Sequence, residues 1–105
     1  MAIYEVTEAF VETIKANGID FVFYNPGYDV VPILGSIARY KTQGKVVPPT
    51  ILCLDESVAM AAAHGSYMVS GKPQVVLVHS ELGTMQMIII LRNMTFLPAI
   101  LLLPR

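Results

Sequence analysis

Apolar and polar positions along the chain follow two rhythms in turn. From residue 4 to 16 apolar side chains recur at helical spacing: Val6, Ala9, Phe10 and Ile14 share one face, with Glu5, Glu8, Glu12 and Lys15 off it. Asn17-Gly18 closes that predicted helix. IDFVFY, residues 19–24, is a short apolar run that predicts a strand, and Asn25-Pro26-Gly27 breaks it. Asp29 is placed to cap a second helix over about residues 30–42, ending near Gly44. KVVPP is a connector, and TILCL (50–54) predicts a second strand. A third helix runs from about Glu56 to Val69 and stops at Ser70-Gly71-Lys72-Pro73. QVVLVH (74–79) predicts a third strand, Leu82 to Asn93 a fourth helix, and LPAILLL (97–103) a fourth strand.

The strands are continuous apolar runs, the pattern of strands covered on both faces. Strand and helix alternate throughout, and parallel strands need such crossovers. The expected fold class is therefore α/β, three-layer, with a parallel sheet of about four strands and flanking helices. In open parallel sheets, ligands bind beyond the carboxyl ends of the strands. The turns Asn25-Pro26-Gly27-Tyr28, Asp55-Glu56 and His79-Ser80-Glu81 emerge there and carry polar or titratable groups.

Composition changes this picture in one respect. The 105 residues are 54% hydrophobic and 14% charged, against roughly 45–50% and about 25% for average soluble domains. A chain this short buries a smaller share of its surface than a large one. The expectation is a single, incomplete domain over residues 1–105, with apolar surface covered by further chain or by a partner. The net charge of −1, without a basic run, argues against nucleic-acid binding. No signal peptide is visible. Arg92 and Asn93 split the most apolar segment into halves shorter than the ~20 residues of a spanning helix. Cys53, the only cysteine, reads as a buried thiol in a reducing compartment, and a cytoplasmic location is expected.

The candidate chemistry sits at the strand ends. Asp55 and Glu56 admit two readings. Acids at a helix start cap free amides and meet the favourable end of the dipole. A carboxyl at a strand end, ahead of an Ala/Met-rich surface, is also partly withdrawn from water and suited to proton transfer. His79 is either a boundary residue or a general acid/base. His64, in mid-helix, reads as structural. Two histidines so far apart make no metal motif, so no protein-only metal site is expected. Gly27 serves a turn and also permits close backbone approach to a ligand. It is no dinucleotide fingerprint, because no G-x-G-x-x-G occurs, and there is no P-loop.

FVFYNPGYDVVPIL followed by DESVAMAAAHGSYMVSGKPQVVLVHSELGT resembles the pyrimidine-binding domain of thiamine-diphosphate-dependent enzymes, in the acetolactate synthase and benzoylformate decarboxylase group. The ordered set carries the resemblance: a strand ending in Pro26-Gly27, an acid at the next strand end, Gly65, Gly71-Lys72-Pro73, then a strand leading to Gly83-Thr84. It covers nearly the whole chain and implies a partial thiamine-diphosphate-binding fold. It places Glu56 where the family's glutamate hydrogen-bonds N1′ of the cofactor's aminopyrimidine, favouring the imino tautomer that removes the thiazolium C2 proton. Pro26, Gly27, Gly83 and Gln86 are implied around the cofactor. Asn25, Tyr28 and Ser80 are implied at the substrate pocket. His79 matches an acid/base histidine of the decarboxylase branch.

The resemblance also has departures. Tyr28 stands where that branch has a substrate-contacting serine. Glu81 is an additional acid, Gln86 replaces a common Asn, and Asp55 replaces a common His. The Gly-Asp-Gly…Asn motif that holds the diphosphate through magnesium is not present in these residues, so a domain of the same or another chain is implied to supply it. The implied protein is the N-terminal cofactor-binding part of a decarboxylase or acetolactate-synthase-like carboligase acting on a small 2-oxo acid. It would be a homo-oligomer and inactive as this piece alone. The alternatives are a subunit of a split decarboxylase and a non-catalytic relic or interaction module.

Overall fold

A computed structural model describes residues 6–93. The elements are α1 (Val6–Ala16), β1 (Val22–Tyr24), α2 (Val31–Thr42), β2 (Thr50–Leu52), α3 (Glu56–Ser70), β3 (Val75–Leu77), α4 (Ser80–Gln86) and α5 (Ile88–Asn93). The three strands form one parallel sheet in the order β2-β1-β3. Phe23 stands opposite Ile51 on one side and Val76 on the other. This is the expected α/β architecture. The predicted fourth strand, 97–103, lies outside the described residues.

Two cores cover the two faces of the sheet, and successive strand residues alternate between them. Val22, Val75 and Leu77 join Val11 and Ile14 of α1, Val30, and Ile33 and Ile37 of α2. Phe23, Val76 and Val78 join Cys53, Ala59, Met60 and Ala63 of α3, and Met87. Between the helices of the first layer, Ser36 is fully buried and its hydroxyl meets both Thr7 Oγ1 (2.7 Å) and the Arg39 guanidinium (2.9 Å). Burial on both faces holds for β1 and β3. It does not hold for β2, where Leu52 is 55% exposed. β2 is the edge of the described sheet, and α3 leaves it to pack over β1 and β3 instead.

The strands are shorter than their apolar runs, for a reason at each end. Before β1 the amides of Asp20 and Phe21 donate not to a neighbouring strand but to the side-chain carbonyl of Gln74, at 3.0 and 2.8 Å. Gln74 is completely buried, and its Nε2 donates back to Lys72 O. After β1 the Pro26 ring nitrogen carries no hydrogen, so the ladder cannot continue. Asn25 closes it: its amide donates to Leu77 O at 3.1 Å and its side chain to Cys53 O at 3.0 Å. Replacing Gln74 by Met keeps the volume and orphans both amides. The expected cost is about 2–4 kcal/mol, read from chemical denaturation. An unchanged midpoint would mean that water had replaced the glutamine.

The segment predicted as one helix over 82–93 begins earlier and is two helices. Met87, wholly buried in the second core, departs from helical backbone at φ −101°, ψ 9° and separates α4 from α5. No Gly or Pro marks that break.

Candidate functional site

Three turns follow the strands, and hydrogen bonds and close packing join them at the carboxyl end of the sheet. β1 lies between β2 and β3, so the connection after β1 runs to one side and the chain returns on the other. This is the topological switch point at which open α/β sheets hold ligands. A cleft of about 300 Å³ lined by Lys15, Asp20, Val46 and Pro49 among others lies at the opposite, amino end. It lacks the convergence of polar groups found at the carboxyl end.

The two acids after β2 have separate positions. Asp55 is the N-cap of α3: its backbone is extended and its carboxylate accepts from Ser57 N at 2.8 Å and from the Ser57 hydroxyl. Those bonds from Ser57 hold its carboxyl below the usual aspartate range, against a smaller upward push from burial. Glu56 is the first residue of α3 and is not needed as a cap. Its carboxylate makes no hydrogen bond or ion pair among the described residues. Its stem runs against α4: a Cβ on Gly83 would stand 3.4 Å from Glu56 Cγ and 2.9 Å from Val78 Cβ. Gly83 therefore lets α4 approach both the end of β3 and the start of α3. Of the two readings open for the pair, capping falls to Asp55.

His79 follows β3 and rests on the turn after β1. A Cβ on Gly27 would stand 2.3 Å from His79 Cβ, so only glycine leaves room for the imidazole there. His79 Nδ1 lies 2.6 Å from Asp29 Oδ1. The other carboxylate oxygen of Asp29 accepts from Ser80 N at 3.2 Å. Asp29 was expected to cap α2; instead Val30 occupies the N-cap, and no side chain caps that helix. Burial pushes the Asp29 carboxyl up, but its bonds with His79 and the Ser80 amide outweigh this and leave it below the usual range. Ser80 itself has φ +51°, a left-handed backbone uncommon in a non-glycine residue and often found at functional sites. Sequence reading missed Asp29 as a partner of His79, because fifty residues separate them.

The other expected residues fall into two groups. Asn25 and Ser80 are tied into the turns, Asn25 through its bond to Cys53 O. Pro26, Tyr28 and Glu81 are exposed in the turns at the same end, Tyr28 at 92%, whereas Gln86 is exposed at the last residue of α4. His64 lies eight residues beyond Glu56, about 12 Å along the helix. It is outside the site, and its buried Nε2 has no hydrogen-bond partner. Burial pushes the Cys53 thiol up, as expected for an inert residue. Among the described residues, no cluster of three or more His, Cys, Asp or Glu could hold a metal ion. No described helix is long and apolar enough to cross a membrane.

This arrangement has counterparts among known proteins. The family described as "Thiamine pyrophosphate enzyme, N-terminal TPP binding domain" matches residues 4–95. No curated protein sequence matches the chain. Among solved structures, the fold is similar to that of benzoylformate decarboxylase from Polynucleobacter necessarius, with a TM-score of 0.79 and 20% sequence identity. The similarity covers 98% of this chain and 18% of that one, so the chain spans less than a fifth of the enzyme's length. At that identity the likeness is one of fold.

Proposed function

Because the chain belongs to the family of N-terminal thiamine-pyrophosphate-binding domains, we propose that it forms the pyrimidine-binding half of a thiamine-diphosphate-dependent active site acting on a small 2-oxo acid. The observation that carries this reading is Glu56: a carboxylate at a strand end, relieved of capping by Asp55 and without a protein partner among the described residues. Such a half-buried group is available to a ring nitrogen brought by a ligand, and would gain most from it once a covering domain excludes water.

When bound, thiamine diphosphate would supply a nucleophilic thiazolium carbon and an electron sink for decarboxylation. The chain's residues do the rest of the work on this side. Glu56 shares a proton with N1′ of the aminopyrimidine. Gly83 keeps α4 close enough for the Glu56 stem to lie along it. Pro26, Gly27 and Gln86 line the cofactor, while Asn25, Tyr28 and Ser80 face the substrate. His79, on the Gly27 shelf, takes or gives a proton at the reacting substrate. The diphosphate and its magnesium belong to a domain of the same or another chain, in a cytoplasmic homo-oligomer. The exposed edge strand and its neighbour Leu54, 94% exposed, are consistent with cover from such a domain.

The full-length protein, supplied with thiamine diphosphate, magnesium and a panel of 2-oxo acids, is expected to release carbon dioxide in a cofactor-dependent way. Absence of both cofactor binding and turnover in the full-length, assembled protein would overturn the reading.

A further inference from the structure

Asp29 has both oxygens of its carboxylate committed, and to two adjacent residues of a distant turn. One oxygen meets His79 Nδ1 at 2.6 Å and the other accepts from the Ser80 amide at 3.2 Å. A carboxylate only accepts hydrogen bonds, so the proton between Asp29 and the ring sits on Nδ1. In neutral His79 that leaves Nε2 with a free lone pair. The Asp29 side chain is 16% exposed and that of His79 46%, so the carboxylate is largely covered while the imidazole remains within reach of a ligand. The left-handed backbone of Ser80 presents its amide to the same carboxylate. Gly27 leaves room for the ring in this position, where a Cβ would overlap His79 Cβ, Cγ and Nδ1.

We propose that Asp29 is a positioning residue for His79, fixing the ring's orientation and its Nδ1–H tautomer so that Nε2 is the one atom exchanging protons with the substrate. The proposal deepens the functional reading above and rests on it for the role of His79. An ionised Asp29 also supports the imidazolium that forms when Nε2 takes a proton, as carboxylate partners of histidine do elsewhere.

Asp29→Asn is the discriminating variant. Its side-chain oxygen can still accept from Ser80, so the clasp between the turns survives. Its amide nitrogen can only donate to Nδ1, which forces the ring proton onto Nε2. The experiment is a two-bond proton–nitrogen correlation spectrum of the full-length protein with ¹⁵N-labelled histidine, with His79 assigned through His79→Gln. The wild type is expected to show protonated Nδ1 and bare Nε2. Asp29→Asn is expected to reverse them, with kcat lower by about 10- to 100-fold, KM little changed, and partial recovery in Asp29→Glu.

A wild-type spectrum with the proton on Nε2 overturns the proposal, even if the variant does not fold. A loss of turnover without tautomer reversal overturns it too, because Asp29 then acts only as a structural tie. So does reversal with an unchanged kcat. Wild-type turnover in His79→Gln is a different failure: it removes His79 from the reaction and defeats that part of the functional reading.

Discussion

Exchange of the C2 proton of bound thiamine diphosphate slows on the order of 10²–10⁴-fold in Glu56→Gln, the range for losing a positioned acid/base group. The substitution is nearly isosteric and spares Asp55, so the cap of α3 stays in place. Glutamine fills the same space beside Gly83 but holds no titratable proton for N1′. The loss therefore falls on proton removal, and cofactor affinity changes less. Quenched deuterium exchange followed by proton NMR separates the two in the full-length protein. Exchange at the wild-type rate would mean that the uncommitted carboxylate serves something else, and the functional reading would lose its main support.

Gly27→Ala is expected to lower kcat by about 100-fold, the scale of a 1 Å misplacement of a reacting group. The added methyl would lie 2.3 Å from His79 Cβ and 2.7 Å from Nδ1. Changing the side-chain rotamer cannot relieve an overlap with Cβ, because the backbone fixes that atom. The turn after β3 must move, and the bonds from Asp29 to His79 and Ser80 stretch with it. Overpacking adds a stability loss of about 1–3 kcal/mol. Steady-state kinetics and thermal melting measure the two effects side by side. A variant with normal kcat and a lowered melting temperature would show that the shelf supports folding alone.

Much of this fold could be read in the chain. The helical spacing of Phe10 and Ile14 and the break at Ser70-Gly71 placed the C-terminal ends of α1 and α3 within one residue, although Val6, expected on the apolar face, is 86% exposed and Val11 is buried instead. Those signals are local, and no tertiary contact overrode them. The turns at Asn25-Pro26-Gly27 and Asp55-Glu56 were equally plain, as the ladder must stop at a proline and a helix must start at a cap. Strand lengths were not legible. Apolar content says what is buried, whereas pairing ends where Gln74 and Asn25 take over the hydrogen bonds, and polar side chains in a strand run give no such warning. The break at Met87 leaves no mark either, since burying one long side chain needs no Gly or Pro. Asp29 is the clearest case. Its local pattern suggests a cap, and only the β2-β1-β3 order brings it to His79. Neighbours in an open sheet are set by strand order, and a single sequence carries little of that.

The central place of β1 has one more consequence. Glu56 and His79 hang from strands that never touch, each one ladder spacing to either side of β1, so the ends of β2 and β3 stand about 9.6 Å apart. The Asn-Pro-Gly-Tyr segment is thus a floor between two walls built by separate connections. Under the proposed function, exchanging the exposed Tyr28 would re-contour that floor, while Asn25 before it and Asp29 after it keep the floor tied to Cys53 and to His79.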